Sequence, residues 1–321
     1  MEILFRLSGE HPSLPRAEIF AVMEGEGIES KVLVEFDKDR ILVIDAKTNS
    51  EEFLHRLALT KLAGEFVGMF HGLEEMADLV AEKIPPNSKI AVRGSLPLEK
   101  ELGAMFTEKG FGIDLEKPEF SIPLFKTGKQ YLAAIVIPLG RDFEKRKPQF
   151  RPYFHPTSMH PRIARALVNL ARVKKGDTVL DPFCGTGGIL IEAGLMGMKV
   201  SGSDIDEDMV EGSMKNLKHF GLEGEIKQTD ALKLAEEFIG IDAIVTDMPY
   251  GRSSFTSEKD TKKLYNQFIS AAARLLEKDK YLVVVMPDKF TPESGGFSVA
   301  GEFSLYVHKS LTRKVWVMRR A

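Results

Sequence analysis

The sequence predicts an α/β chain in which a doubly wound, parallel-sheet half of nucleotide-binding type follows an α+β region. Three observations carry this. The apolar run Thr178-Val-Leu180 ends in an acid and a glycine turn, Asp181-Pro-Phe-Cys-Gly-Thr-Gly-Gly188, and a helical stretch over 189–195 follows. A second acid, Asp204, closes the next run 19 residues after Gly185. A third run, Ile244-Val-Thr246, leads into Asp247-Met-Pro-Tyr-Gly251, 62 residues after Gly185. Short apolar runs bounded by turns and separated by helical patterns read as strands of a sheet buried on both faces.

From the start of the chain, residues 1–50 predict a small α+β lobe that resembles a ferredoxin-like unit: a strand over 3–7, a helix over 15–24, then strands over 31–36 and 40–45. Residues 51–140 predict a second unit. Its elements are a helix over 51–62, a strand over 64–70, a helix over 74–83, a strand over 89–92, a helix over 98–109 and an apolar strand over 131–138. Residues 141–153, rich in charge and proline, predict a linker. The remaining half is 154–321. It opens on Phe154-His-Pro-Thr-Ser-Met-His-Pro161 and a helix with apolar residues at 163, 164, 167, 168, 170 and 171, for which Pro161 suits the first turn.

Glycines have no Cβ and tolerate positive φ, so the turn after Asp181 lets backbone pass close to a ligand. A dinucleotide fingerprint requires a third glycine three positions after the second, and Leu190 stands there. The D-x-x-x-G-x-G that remains resembles the S-adenosylmethionine loop of Rossmann-like methyltransferases. Asp204 is spaced to accept both ribose hydroxyls of a bound adenosine. A third strand over 225–230 ends at Asp230, followed by Ala231. A strand over 281–286 and apolar alternations over 303–307 and 314–318 predict an antiparallel edge hairpin.

Asp247-Met-Pro-Tyr250 resembles the D-P-P-Y motif of methyltransferases that modify exocyclic amines of bases, with Met248 in place of the first proline. The amine's lone pair is delocalised into the ring, so it is a poor nucleophile. A carboxylate from Asp247 and the Met248 carbonyl, each accepting one amine hydrogen, would localise that pair and aim it. Pro249 keeps Met248 out of the helical region, and Tyr250 offers a stacking face worth about 1–3 kcal/mol. The motif serves guanine and adenine amines alike.

Composition sets the frame. At 321 residues the chain has room for two or more domains. Hydrophobic residues make up 43% and charged ones 28%, there is no apolar run long enough for a membrane span, and residues 1–7 lack the features of a signal peptide. One cysteine excludes an internal disulfide and a Cys-rich zinc site, so a cytoplasmic protein without metal is expected. Cys184 invites a nucleophilic reading, but it sits inside the glycine turn and reads as a small turn residue. His155 and His160 are separated by prolines, and read as part of a rigid entry loop.

Net charge is −3, yet its sign segregates: residues 126–175 hold twelve Lys and Arg against two acids, whereas 201–250 hold four against twelve. One basic face on an acidic protein would suit nucleic-acid phosphates.

The whole layout resembles the archaeal tRNA guanosine-10 N2-methyltransferase family, in which an N-terminal lobe and a THUMP RNA-binding domain precede a Rossmann-fold methyltransferase. The resemblance is specific in the second half and rests on order and size before it. It implies methyl transfer from S-adenosylmethionine to the exocyclic amine of the tenth nucleotide of tRNA, by a monomer without membrane contact. Thr157 and Ser158 would flank the methionine tail. Asp181, Phe183, Gly185 and Gly187 would form the turn around the cofactor. Asp204, Ile205, Asp230 and Ala231 would hold its adenosine, and Asp247, Met248, Pro249 and Tyr250 the base. The alternatives are rRNA guanine-N2 or DNA adenine-N6 methyltransferases. Protein glutamine methyltransferases carry Asn where Asp247 stands. An RNA-binding protein with a degenerate fold is disfavoured by intact Asp181, Gly185, Gly187 and Asp247.

Overall fold

The computed structural model describes residues 1–156, 158–249, 258–308 and 311–321. The chain forms two compact units. The first comprises Met1–Glu10, Ile28–His55 and Thr60–Gly140; the second comprises His11–Gly27, Arg56–Leu59 and Arg141–Ala321.

Strand β1 (Glu2–Leu7) begins the first unit, and helix α1 (Leu14–Gly25), which follows it, belongs to the second. The first unit continues through β2 (Ser30–Phe36), β3 (Ile41–Ala46), β4 (Thr60–Phe70), α2 (Leu73–Lys83), β5 (Lys89–Arg93), α3 (Leu96–Glu108), β6 (Gly112–Ile113), β7 (Phe120–Thr127) and β8 (Gln130–Ile137). Its eight-stranded sheet has the order β2-β3-β1-β4-β8-β7-β5-β6, so one sheet runs through both 1–50 and 51–140. Met76 and Val80 of α2 and Leu102 and Phe106 of α3 pack on Ile90, Val92, Ile122 and Leu124 of that sheet.

Two local expectations fail here. Residues 51–62 are not a helix: a 3-10 turn, Glu52–Arg56, precedes a strand that begins at Thr60. The reason lies at Ala58 and Leu59, whose backbone N–H groups donate to the Glu18 carboxylate instead of to a helical turn. Strand β7 goes unpredicted because Pro123 interrupts its pattern; that proline lies level with Arg93 of β5.

The second unit adds α4 (Pro161–Leu170), β9 (Thr178–Asp181), α5 (Gly188–Leu195), β10 (Lys199–Asp204), α6 (Glu207–His219) and β11 (Gly224–Gln228). The short α7 (Leu234–Glu237), β12 (Ala243–Asp247), α8 (Glu258–Leu275), β13 (Tyr281–Pro287), β14 (Phe297–His308) and β15 (Leu311–Arg320) complete it. Its seven strands run in the order β11-β10-β9-β12-β13-β15-β14. Strands β9 to β13 pair in parallel, and β15 is antiparallel to both of its neighbours. The chain winds outward from β9 to β11, then returns across β9 to start β12. That reversal opens a crevice beyond the carboxyl ends of β9 and β12, where open α/β sheets bind ligands.

Successive strand residues face opposite sides. Val179, Val245, Val283, Val285 and Val315 pack against Leu167 of α4 and Leu190 of α5. Leu180, Ile244, Leu282, Val284 and Trp316 pack instead against Tyr265, Phe268 and Ile269 of α8.

Helix α1 shares the α4 side. The fully buried Glu18 accepts from the N–H groups of Ala58 and Leu59 and from Nδ2 of Asn169, each at 2.8 Å. The helix predicted as part of an N-terminal lobe is thus built into the second unit. Residues 141–153, predicted as a linker, are also packed into that unit. Phe143, Arg146 and Arg151 are buried, and Arg146 forks onto the buried Glu192 of α5 at 2.7 and 3.1 Å. Charged composition hides this because the acid that neutralises Arg146 lies 46 residues away.

Candidate active site

Asp181 ends β9 with only 2% of its surface exposed. Its Oδ1 accepts from the Thr246 hydroxyl at 2.6 Å and from the Phe183 N–H at 3.2 Å. Burial lifts its pKa to about 7 against the pull of those two bonds, with a further push from the charges of Asp204 and Asp247. The folded chain therefore holds a proton here, between about pH 4 and about pH 7, that the unfolded chain has released. Stability should fall by roughly 2–4 kcal/mol as pH rises through that window and level off above it. Denaturant unfolding of wild type and Asp181→Asn across the window checks this: the variant, which has no proton to release, should lose that part of the slope.

Gly185 and Gly187 both lie in the left-handed region, at φ +49 and +78°. A Cβ on Gly187, which caps α5, would meet Ser213 Oγ at 2.6 Å, whereas one on Gly185 would meet no atom within 4 Å. The turn is therefore closed towards α6 and open at Gly185. Cys184, immediately before Gly185, is buried, and burial raises its thiol well above the ordinary value, which suits a turn residue rather than a nucleophile.

Asp204 ends β10. Its Oδ2 accepts from the Gly185 N–H at 2.9 Å and its Oδ1 from the Asp206 N–H at 3.1 Å, which joins the second acid directly to the glycine turn. Ile205 beside it is 75% exposed, a bare apolar face at the rim. Strand β11 stops at Gln228, two residues short of the sequence expectation, and Asp230 makes a turn by accepting from the Leu232 N–H at 2.9 Å. Ala231 is buried, and Phe183 meets Phe268 of α8 edge-on at 5.2 Å.

Ser158 shares a hydrogen bond of 2.9 Å with Thr186 in the turn. Asn216 of α6 bonds the N–H and carbonyl of Tyr153 and the carbonyl of Thr186, each at 2.9 Å, so Tyr153 and Ser158 are both tied to the same loop. His160 caps α4 by accepting from the Arg162 N–H, as an entry-loop residue should. Among the described residues no group of three His, Cys, Asp or Glu could hold a metal ion.

Asp247 ends β12, level with Val285, and its Oδ2 accepts from Arg313 Nη1 of β15 at 2.8 Å. Met248 extends the ladder, donating its N–H to the Val285 carbonyl at 3.0 Å, and its side chain is fully buried. A proline at that position could not donate, so Met248 replaces ring rigidity with a ladder bond and core packing. The Pro249 carbonyl accepts from the Tyr265 hydroxyl at 2.8 Å. Burial, and then the Asp247 charge, pushes that hydroxyl to about 12. Thr157, Tyr250 and Gly251 lie outside the described residues.

The structure thus brings the glycine turn, Asp204 and Asp247 to one edge of the parallel sheet. Arg313 and Tyr265 join them without any local sequence signal. The basic stretch 126–175 contributes less free charge than its count implies: Arg146, Arg151 and Arg165 are buried, and Arg165 also bonds Glu192.

Two family models match the chain: an RMKL-like methyltransferase domain over residues 148–295 and a DNA methylase over 75–215. A tRNA (guanine(10)-N2)-dimethyltransferase of Methanothermobacter thermautotrophicus is 39% identical, with the whole of both chains covered. One of Pyrococcus abyssi is 36% identical, with 96% of each covered. Among solved structures, TrmN from Thermus thermophilus matches the whole of both chains with a TM-score of 0.55 at 21% identity, a likeness of fold.

Proposed function

The chain belongs to the tRNA (guanine(10)-N2)-dimethyltransferase family, and from that premise we propose how its own residues divide the work. It is an S-adenosylmethionine-dependent tRNA guanine-N2 methyltransferase, acting on the nucleotide at position 10. S-adenosylmethionine supplies an electrophilic methyl group carried on a sulfonium.

The residues present fit this donor. Each carboxylate offers about four acceptor sites. Asp204 has two engaged by backbone N–H groups and keeps capacity for a pair of ribose hydroxyls. The open side of Gly185 admits the ligand, and the exposed Ile205 offers an apolar face to adenine. Asp230 and the Ala231 N–H would meet the adenine edge, and Thr157 and Ser158 the methionine tail. Asp181 and Phe183 shape the turn from within. Asp247 and the Met248 carbonyl would hold the two hydrogens of the guanine amine, with Pro249 stiffening the loop and Tyr250 stacking on the base.

The observation that supports this most directly is an anchored carboxylate, Asp247, at the switch point of a parallel sheet whose neighbouring strands carry the glycine turn and Asp204. We assign RNA recognition to the first unit, as a lobe and a THUMP-like region built on one sheet. Among the described residues no helix is long and apolar enough to cross a membrane, and we place the enzyme in the cytoplasm, as a monomer.

Transfer of labelled methyl groups to tRNA, with nucleoside mass spectrometry, tests the proposal. The expected products are N2-methylguanosine and N2,N2-dimethylguanosine at position 10. N6-methyladenosine, or methylation of DNA or protein alone, would overturn it.

A further inference from the structure

We propose that Arg313 is a positioning residue for the acceptor amine: its guanidinium fixes the Asp247 carboxylate in rotation and pairs its charge. This rests on the reading of Asp247 given above.

The sheet register places the two groups. Asp247 is level with Val285 of β13, and Val285 is level with Val315 of β15. Arg313, two residues from Val315, lies on the same face, beside Pro287 at the carboxyl edge of β13. Two strand spacings, about 9–10 Å, separate β12 from β15. The long arginine side chain crosses over β13 and brings Nη1 to 2.8 Å from Oδ2. Both side chains are largely sheltered, at 15% exposed for Arg313 and 19% for Asp247, so water screens the pair less than it would on an open surface.

The groups facing Asp247 sharpen the case. Arg313 approaches from β15, Asp181 from β9 and the Tyr265 hydroxyl from α8. Of these, Asp181 and Asp247 repel when both are charged, and Arg313 offsets that repulsion. A protonated Asp247 would lose an acceptor and present a donor to an amine that itself needs acceptors. Ionised and anchored, the carboxylate keeps lone pairs for the base beyond the one Arg313 uses. It therefore orients the amine, and the proton shed for each methyl gained passes to water.

Arg313→Ala, Arg313→Lys and Arg313→Gln, with Asp247→Ala alongside, test this by kcat, calorimetric affinity for S-adenosylmethionine and the pH profile of turnover. Arg313→Ala should lower kcat by about 10²-fold, the size expected for one preorganised polar contact, with cofactor affinity within about twofold of wild type. The acid limb of its profile should move up by about 1–3 pH units, because removal of a neighbouring cation raises a carboxylate's pKa. Lys, which keeps the charge but not the planar guanidinium or its reach, should recover part of kcat and return the limb towards its original place. Gln should leave the limb displaced. If Arg313→Ala does not fold, the contrast between Lys and Gln decides the matter. A wild-type kcat and acid limb in Arg313→Ala, or in Arg313→Gln, would overturn the proposal. Turnover that survives Asp247→Ala would overturn the reading of Asp247 itself, whereas loss there beside an unaffected Arg313 variant would sink only the role of Arg313.

Discussion

Asp247→Ala is expected to lower turnover by about 10³-fold or more while affinity for S-adenosylmethionine stays within about twofold. Holding a nucleophile at near-attack distance recovers about 7–11 kcal/mol of barrier at best, and loss of one preorganised polar partner alone costs about 10²–10³ in rate. The cofactor contacts assigned to Asp204 and the glycine turn lie on other strands, which is why binding should survive. Asp247→Asn separates shape from charge: it keeps an acceptor oxygen but loses the ionic part of the Arg313 pairing, so its turnover should fall between those of wild type and Ala. Single-turnover kinetics beside calorimetry check both. A parallel loss of cofactor binding would mean that Asp247 supports the fold of the crevice rather than the acceptor.

The second large effect concerns the boundary of the catalytic unit. A fragment beginning near Arg151 should fail to fold and so fail to bind cofactor, although it contains every strand of the seven-stranded sheet. It lacks α1 and residues 56–59, so Asn169 of α4 loses the Glu18 carboxylate and the Arg56 carbonyl it bonds at 2.8 and 3.0 Å. It also lacks Arg146, leaving Glu192 one guanidinium short in a buried cluster; removing one partner of such a pair costs about 3–5 kcal/mol. A chain that keeps 11–27, 56–59 and 141–321, joined by flexible linkers, should fold, bind cofactor and lose tRNA affinity. Glu18→Ala in the intact protein isolates the central contact. It strands three buried donors at about 1–3 kcal/mol each, while Glu18→Gln, with one acceptor oxygen, should lose less. Cooperative unfolding of the 151-onward fragment with wild-type cofactor affinity would refute this account.

What the sequence disclosed and what it hid follow from how far each signal reaches along the chain. The glycine turn, Asp204 and Asp247 were legible because acid, turn and strand end are neighbours in sequence and their spacing is set by one or two βα units. Arg313 was invisible: it meets Asp247 only because β15 inserts between β13 and β14, and 66 residues separate the two. Tyr265 reads locally as one more apolar position of an amphipathic helix, until its hydroxyl is found on the Pro249 carbonyl. Helix α1 belongs to the second unit and not to the N-terminal lobe its position suggests, because amphipathic spacing says that a face is buried, not against what. Glu18 held the missing signal. An acid beside Ile19, on a face that also carries Leu14, Ala21 and Val22, must have buried donors waiting for it, and those donors turned out to be on residues 58, 59 and 169.

The pairing of Glu18 with Asn169 also sets a delay. The two residues are 151 positions apart, and a ribosome adding roughly 5–20 residues per second needs about 8–30 s to cover that distance. For that interval the nascent chain carries an apolar helix face and a carboxylate that can meet the Ala58 and Leu59 N–H groups but still lacks the Asn169 donor. The eight-stranded unit is free to finish first, with α1 waiting outside it, and the second unit can begin to close only once α4 has emerged. Chaperone engagement during synthesis should therefore concentrate on residues 11–27 and end as the chain passes α4.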